Sequence, residues 1–204
     1  MARGFTDVER ERLRAKLKST GRRLFIRYGL KKTTIRELTE PLGIAKSSFY
    51  LFFDSKEALY WQLLLDEGAA VEVQIRAAVE GAGEDTRAAI ESLLRTTVRA
   101  IETNDLYRRL LDHRQEMKMV TEWLPPESAQ AKAEGSLELI VGYVRQWQTE
   151  DGIVEGRPEG IASALRAVTL LTLHKDDIGS ARYADVMDLI IRVVAEGLTR
   201  PAPT

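Results

Sequence analysis

Apolar residues recur at helical spacing along almost the whole chain. The repeat of three to four residues predicts an all-α fold, and no run alternates apolar and polar residues as a half-buried strand would. The longer predicted helices occupy residues 6–29, 55–79, 86–103, 106–120, 126–147, 158–175 and 182–198. Two short helices between residues 34 and 53 bring the expected total to about nine.

Local signals place the first helix boundaries. Thr6 is followed three residues later by Glu9, and Thr34 by Glu37, which is the spacing of a capping box. Gly29 is expected to end the first helix, because glycine accepts the backbone conformations that stop one. A second, short helix therefore starts after Thr34.

A tight turn follows this second helix. Pro41 lacks an amide hydrogen and Gly43 accepts a left-handed conformation, so the chain can turn before a third helix that begins at Ala45. Asp54 and Glu57 are the expected caps of the next helix. Two short helices joined by a sharp turn predict a helix-turn-helix, a structure that reads DNA.

The third helix has two different faces. At 100° per residue, its inner face is expected to carry Ala45, Phe49, Phe52 and Phe53. Its outer face carries Lys46, Ser47, Tyr50 and Leu51. An outer face that combines a cation, a small hydroxyl and a phenol suits phosphates and base edges better than water alone.

Charge is divided unevenly along the 204 residues, although the formal net charge is only -1. Residues 1–60 contain 14 Lys and Arg against 7 Asp and Glu, and the remaining residues contain 16 against 24. The basic excess predicts a polyanionic partner for the N-terminal part. A solvated basic helix is the alternative explanation.

Eight residues around the turn are candidates for DNA contact. Lysine, arginine and the phenol offer donors to phosphate, threonines and backbone amides at helix starts do the same, and short serines let the backbone approach the major groove. These residues are Thr33, Thr34, Arg36, Lys46, Ser47, Ser48, Tyr50 and Lys56. For Thr34, helix capping alone is an equally good interpretation.

Enzyme signals are weak. His113 and Glu116 have the spacing of half a metal site, but a second pair is missing, and neither a phosphate-binding glycine loop nor a GxSxG turn occurs. We expect no enzyme activity, no cofactor and no metal. The absence of cysteine, of an apolar signal-peptide core and of a run of about 20 apolar residues favours a cytoplasmic protein that does not enter a membrane.

The N-terminal third of the chain resembles the tetracycline-repressor (TetR) family of regulators. The matching residues are Gly29, Thr33, Thr34, Ile35, Leu38, Gly43, Ile44, Lys46, Phe49, Tyr50, Phe53, Ser55, Lys56 and Leu59. Two positions depart from the family pattern: Ala45 replaces the usual Ser or Thr cap, and Pro41 shortens the second helix. The resemblance implies a helix-turn-helix DNA-binding domain at residues 1–54 and a ligand-binding, dimerisation domain at residues 55–204.

The resemblance also implies a homodimeric repressor that a small effector releases from a partly palindromic double-stranded operator. The family builds its effector pocket on the middle helices, which here carry Tyr107, His113, Met117, Trp123 and Trp147. Their side chains favour an apolar or aromatic effector, and ordinary core packing is the alternative.

The last two predicted helices are apolar over more than one stripe, which indicates one face for the bundle and one for a partner chain. The expected dimer interface consists of Leu165, Val168, Leu171, Val186, Ile190 and Val193. A monomer that buries both helices remains an alternative. So do two other functions: an acidic helical binding module whose basic end contacts a protein or membrane surface, and a helical enzyme that depends on His113.

Overall fold

The computed structural model of the chain describes residues 5–124 and 126–199, with the side chains of residues 114, 117, 121, 126–134 and 136 excepted. Its architecture confirms the predicted all-α fold. The described residues form ten α-helices and three short 3₁₀ helices, and their only strand-like pairing is an isolated bridge between Ile153 and Thr199. Among the same residues, no helix combines the length and apolar character that a membrane span requires.

The chain divides into two compact units, Met1–Ala69 with Asn104–Pro125, and Ala70–Thr103 with Pro126–Thr204. This division by contacts differs from the predicted ranges 1–54 and 55–204, and the functional boundary stays a prediction.

The first unit holds the predicted helix-turn-helix. Its helices are α1 (Asp7–Lys32), α2 (Ile35–Thr39), the reader helix (Lys46–Leu51, of 3₁₀ type), the first part of α3 (Lys56–Glu80), α5 (Asp105–Asp112) and α6 (Arg114–Trp123). Apolar side chains with no exposed surface fill the space between these helices: Leu17, Phe25, Leu30, Leu38, Phe49, Leu59, Tyr60 and Leu106. This core fixes the reader helix from the inside.

The predicted break at Gly29 is confirmed, since Gly29 has φ 82° and ψ 167° inside α1. Both capping boxes are confirmed as well, with reciprocal hydrogen bonds at the starts of α1 and α2. The predicted caps of α3 are wrong: the Ser55 hydroxyl, and not Asp54 or Glu57, accepts the Ala58 amide at 3.0 Å.

The predicted continuous helix at residues 106–120 is also wrong, because the chain leaves helical geometry at His113 (φ -128°, ψ 72°). Arg109 and Glu116 form a bidentate ion pair across this break, with nitrogen-to-oxygen distances of 2.8 and 3.1 Å.

The second unit packs α4 (Thr86–Thr103), α7 (Pro126–Thr149), α8 (Pro158–Leu170) and α10 (Tyr183–Leu198) around a shared apolar core. The predicted helix at residues 158–175 is interrupted, since a 3₁₀ helix (Leu171–His174) and the short α9 (Lys175–Ile178) follow α8.

The faces of α8 and α10 correct the predicted dimer interface. Leu165 is fully buried and Val168 nearly so, because both belong to the core of their own unit, and they have no surface left for a partner. Leu171, Val186 and Ile190 are half-buried against that core or beside it, whereas Val193 is exposed. Among the described residues of α8, of the 3₁₀ helix that follows it and of α10, the exposed large apolar side chains are Leu170, Leu173, Leu189 and Val193.

Candidate nucleic-acid interface

The turn before the reader helix is set by one glycine and one proline. Gly43 adopts the predicted left-handed conformation, φ 67° and ψ 24°, after a single 3₁₀ turn that contains Pro41. The Gly43 and Ile44 amides donate to the Glu40 and Thr39 carbonyls at 3.1 and 3.4 Å. The chain therefore reverses within a few residues, as a helix-turn-helix requires.

Aromatic side chains anchor the reader helix. Phe49, Phe52 and Phe53 are buried, as the helical phase predicted. Arg14 of α1 adds a polar clasp, because its guanidinium donates to the Phe52 carbonyl at 3.3 Å and stacks 4.8 Å from the Phe53 ring centre. The prediction that Ala45 lies on the inner face is wrong, since Ala45 is exposed. It also offers no side-chain cap to the reader helix.

The outer face of the reader helix is accessible. Lys46, Ser47 and Leu51 are exposed, and Tyr50 keeps 52% of its surface while its ring lies edge-on against Phe49. Within the described part of the chain, the Lys46 ammonium and the Ser47 and Tyr50 hydroxyls have no hydrogen-bonding partner. This face therefore presents a positive charge and two hydroxyls to the solvent.

The start of α2 offers a second exposed group of polar residues. The Thr34 amide and hydroxyl both lie 2.8 Å from the Glu37 carboxylate and hold the pKa of Glu37 below its ordinary value. Arg36 is exposed, and its guanidinium lies 3.5 Å from the Glu40 carboxylate. On the reader helix, Ser48 is half-buried.

Thr33 does not have the geometry expected of a phosphate contact. It is buried, and its hydroxyl and amide both donate to the Gly29 carbonyl, at 2.8 and 3.2 Å. Its two donors are therefore consumed where α1 breaks, and Thr33 positions the start of α2 instead of reaching outward.

Lys56 does not have the geometry expected of a phosphate contact either. Its ammonium donates to the carbonyls of Leu30, Lys31 and Thr33 at 2.7, 3.2 and 3.0 Å. An ammonium has three hydrogens, so these three bonds use all of them. Lys56 thus holds the end of α1 against the start of α3, a role that sequence spacing did not reveal.

The Gly29 backbone is enclosed by side chains of α5 and α6. A Cβ atom at this position would collide with the Arg109 guanidinium and the Glu116 carboxylate. Arg109 also donates to the Ile26 carbonyl at 3.2 Å, next to the break in α1. The ion pair of α5 and α6 therefore packs directly on the backbone that leads into α2.

The residues expected to form the effector pocket do not share one cleft. His113 is exposed and lines a cleft of about 620 Å3 in the first unit, whereas Trp147 is 3% exposed and lines one of about 950 Å3 in the second. Tyr107 is half-buried on α5, Trp123 is partly exposed at the end of α6, and the Met117 side chain lies outside the described residues. The pocket stays a prediction.

An exposed polar face on a short helix, placed after a left-handed glycine turn and backed by an aromatic core, defines a helix-turn-helix reader domain. The family model "Bacterial regulatory proteins, tetR family" matches residues 18–63, which span this domain. The N-terminal domain of the chain therefore matches the tetR family, and the predicted resemblance is confirmed.

Two curated relatives share this region. The chain is 36% identical over 84 residues to the HTH-type transcriptional repressor KstR2 of Rhodococcus jostii, and 52% identical over 40 residues to the uncharacterized HTH-type transcriptional regulator YerO of Bacillus subtilis. The matches cover 40% and 20% of this chain, but only 39% and 14% of the relatives.

Solved structures resemble the chain over nearly its full length. A TetR-family regulator from Pectobacterium atrosepticum superposes with a TM-score of 0.74 at 19% identity, covering 97% of this chain and 100% of that one. The ketosteroid transcriptional regulator KstR2 of Mycobacterium tuberculosis gives 0.60 at 18% identity, covering 92% and 95%. At these identities the likeness establishes the fold alone.

Proposed function

We propose that the chain is a DNA-binding transcriptional regulator, and specifically a repressor that binds a partly palindromic operator as a homodimer and leaves it when a small effector binds. The exposed polar face of the reader helix carries this proposal. Lys46, Ser47 and Tyr50 are exposed on a short helix that is anchored by the buried Phe49 within it and by the buried Phe52 and Phe53 directly after it. The match of residues 18–63 to the tetR family supports the same function.

The proposed DNA contacts divide into two kinds. Lys46 and the Tyr50 phenol bind phosphate, while Ser47 and Ser48 lie where short side chains let the helix approach base edges. Thr34 and Arg36, at the exposed start of α2, provide further phosphate contacts. Thr33 is left out because it is buried, and Lys56 because all three of its donors are bonded to carbonyls within the unit. The Thr34 donors are bonded to Glu37, but they lie at an exposed site.

Selection of bound fragments from random double-stranded DNA tests the function. We expect enrichment of a sequence with two-fold symmetry, whose half-sites lie about one helical turn or a multiple apart. Lys46→Met is the comparison variant and should weaken binding to all fragments alike. Recovery of fragments without a common sequence, or equal binding of wild type and variant, would contradict the proposal.

The homodimer is proposed on the exposed apolar side chains of α10 and of the segment that ends α8. Leu170, Leu173, Leu189 and Val193 each keep between 45% and 58% of their surface, an unusual amount for large apolar residues so close together in sequence. Burial against the same residues of a second copy removes this surface from water.

Sedimentation analysis of Val193→Asp tests the interface. In a symmetric dimer the substitution places two carboxylates in one apolar contact, so dimer dissociation should increase by about 100-fold. Val73→Asp, at a residue 68% exposed on α3, is the matched control and should sediment as wild type. A Val193→Asp variant that remains as dimeric as the control would place the interface elsewhere.

The effector is proposed to be a small molecule with an apolar or aromatic body. Both clefts contain aromatic side chains, Tyr28 in the first unit and Tyr143 with Trp147 in the second. Thermal-shift screening tests this part, because a compound that binds the folded protein raises its unfolding temperature with ligand concentration.

A further inference from the structure

The cleft of about 620 Å3 in the first unit lies between the end of α1 and the α5–α6 pair. The α1 side contributes Tyr28, Lys31 and Lys32. Leu111 and Met119 form part of the opposite side. The cleft therefore combines apolar surface with a pair of adjacent cations.

The charges in the cleft favour an anion. Lys31 and Lys32 are exposed, and neither forms an ion pair or hydrogen bond through its side chain within the described part of the chain. The Arg109 charge is offset by Glu116, which leaves Asp112 as the remaining carboxylate against the two lysines. The cleft carries a net positive charge with its free cations on one side.

The apolar part of the cleft suits a short hydrocarbon body. The Tyr28 ring keeps 43% of its surface, and the Leu111 and Met119 side chains are half-buried opposite it. Covering such surface removes apolar area from water and so favours binding. A ligand with one charged end and one apolar end uses both parts of the cleft.

The wall beside the lysines connects this cleft to the DNA reader. The Arg109–Glu116 pair lines the cleft and also closes on Gly29, whose carbonyl accepts both donors of Thr33. Lys31 supplies a carbonyl to Lys56 from the same short segment. A ligand that draws Lys31 and Lys32 toward α5–α6 therefore acts on the backbone that positions α2.

We propose that this cleft binds an amphipathic anion, with its carboxylate or phosphate group on Lys31 and Lys32 and its apolar body between Tyr28, Leu111 and Met119. Occupancy lowers affinity for the operator, because the ligand favours one position of the backbone between Gly29 and α2, and the DNA-bound state requires another. The effector role rests on the proposed function, whereas binding of the anion does not.

Calorimetric titration with three ligands that share a ten-carbon chain tests the site in the absence of DNA. We expect decanoate to bind at least about tenfold more tightly than decanol, and decyltrimethylammonium to bind more weakly than either, because only the carboxylate pairs with the lysines. Equal affinities for the three ligands would overturn the proposal, since they would show binding by the hydrocarbon chain alone. Decanoate bound as tightly by the double variant Lys31→Gln, Lys32→Gln would do the same.

Two further variants locate the site. Met119→Glu places a negative charge opposite the lysines and should reduce decanoate affinity by about tenfold or more. The double variant Arg12→Gln, Lys16→Gln removes two exposed cations of α1 that do not line the cleft, and should bind decanoate as wild type does. Circular dichroism and thermal unfolding of each variant show that the fold is retained.

Fluorescence anisotropy with operator DNA completes the test. Saturating decanoate should weaken operator binding by wild type but not by Met119→Glu, and an unchanged operator affinity in wild type would overturn the effector role. Failure of the proposed function is a different result: the protein would select no two-fold DNA sequence in the absence of decanoate. DNA binding without decanoate binding overturns only the present inference.

Discussion

Two polar segments flank the turn of the reader domain, and their side chains are used in opposite ways. Before and after the turn, Thr33 and Lys56 have all their side-chain donors bonded within the unit, to carbonyls of residues 29–33. On the reader helix, Lys46, Ser47 and Tyr50 are exposed and bonded to nothing within the described residues. The first group holds the local backbone in place, and the second is accessible from outside the unit.

Residue type alone does not distinguish these two roles. Lys46 and Lys56 are both single lysines beside a helix start, yet only Lys56 lies where three carbonyls converge. The difference arises from the geometry of α1, which exposes carbonyls where it breaks at Gly29. Substitutions of Thr33 or Lys56 should therefore change the stability of the unit. Substitutions of exposed residues on the reader helix should instead change the affinity for DNA.

The largest effect is expected from Gly29→Val. The backbone at φ 82° and ψ 167° is nearly restricted to glycine, and the new side chain collides with Arg109 and Glu116, so the free energy of unfolding should fall by about 3 kcal/mol or more. Gly43→Ala is the control, because φ is also positive there but the space is open, and about 1 kcal/mol is expected. Urea denaturation measures both, and similar losses would mean that Gly29 is not enclosed.

Lys56→Met and Lys46→Met should separate stability from DNA binding. Removing the Lys56 ammonium leaves three carbonyls without their donor and should lower the free energy of unfolding by about 2 kcal/mol. Lys46→Met should leave stability within about 0.5 kcal/mol of wild type and reduce the slope of log affinity against log salt by about 0.9. Exchange of these two outcomes would reverse the assignment of the lysines.

Tyr50→Phe should have a smaller effect, confined to DNA affinity. The ring keeps its edge-on contact with Phe49, while the loss of the phenol removes one neutral donor to phosphate, so affinity should fall about fivefold, or roughly 1 kcal/mol, with the salt slope unchanged. Tyr28→Phe, at another exposed tyrosine of the same unit, serves as the control. A Tyr50→Phe variant with wild-type affinity would remove the phenol from the interface.

The last prediction concerns the stability of the first unit at alkaline pH, through Tyr60, which is fully buried on α3. Burial, and then the nearby Glu116 charge, raises the pKa of the Tyr60 phenol, so the folded state keeps a proton that the unfolded chain loses above about pH 10. This contribution to stability is complete below that pH and is lost as the pH rises, by at most about 1.4 kcal/mol per unit. Tyr60→Phe should show a flatter decline between pH 9 and 11 in urea titrations. Parallel curves for the two proteins would rule out Tyr60 as the titrating group.

Local signals in the sequence were sufficient for most helix boundaries. The capping boxes at Thr6 and Thr34 and the left-handed turn at Gly43 each depend on neighbouring residues alone, and all three are confirmed. The bounds of α4 agree at both ends with the predicted 86–103, and the Asp85 carboxylate accepts the Ala88 amide at 2.9 Å. Helical phase also separated the buried phenylalanines from Tyr50.

Contacts between distant residues explain what the sequence did not reveal. The bond from Lys56 to Leu30 spans 26 positions, and no local pattern announces it. The break at His113 occurs without glycine or proline, where the Arg109–Glu116 pair forms. The apolar stripes of α8 and α10 fill two faces, so their sequence alone could not decide which face the core occupies. The spacing of Thr33 four residues after Gly29 was the one local hint that its hydroxyl reaches back.

The enclosure of Gly29 has a practical consequence for building chimeric regulators. Arg109 donates to the Ile26 carbonyl, 83 positions away in sequence. A chimera that joins only the first 54 residues to the C-terminal domain of another regulator therefore lacks the side chains that close on Gly29. A transplant of the reading specificity needs residues 104–124 as well, or a recipient that presents its own arginine and glutamate at the same place.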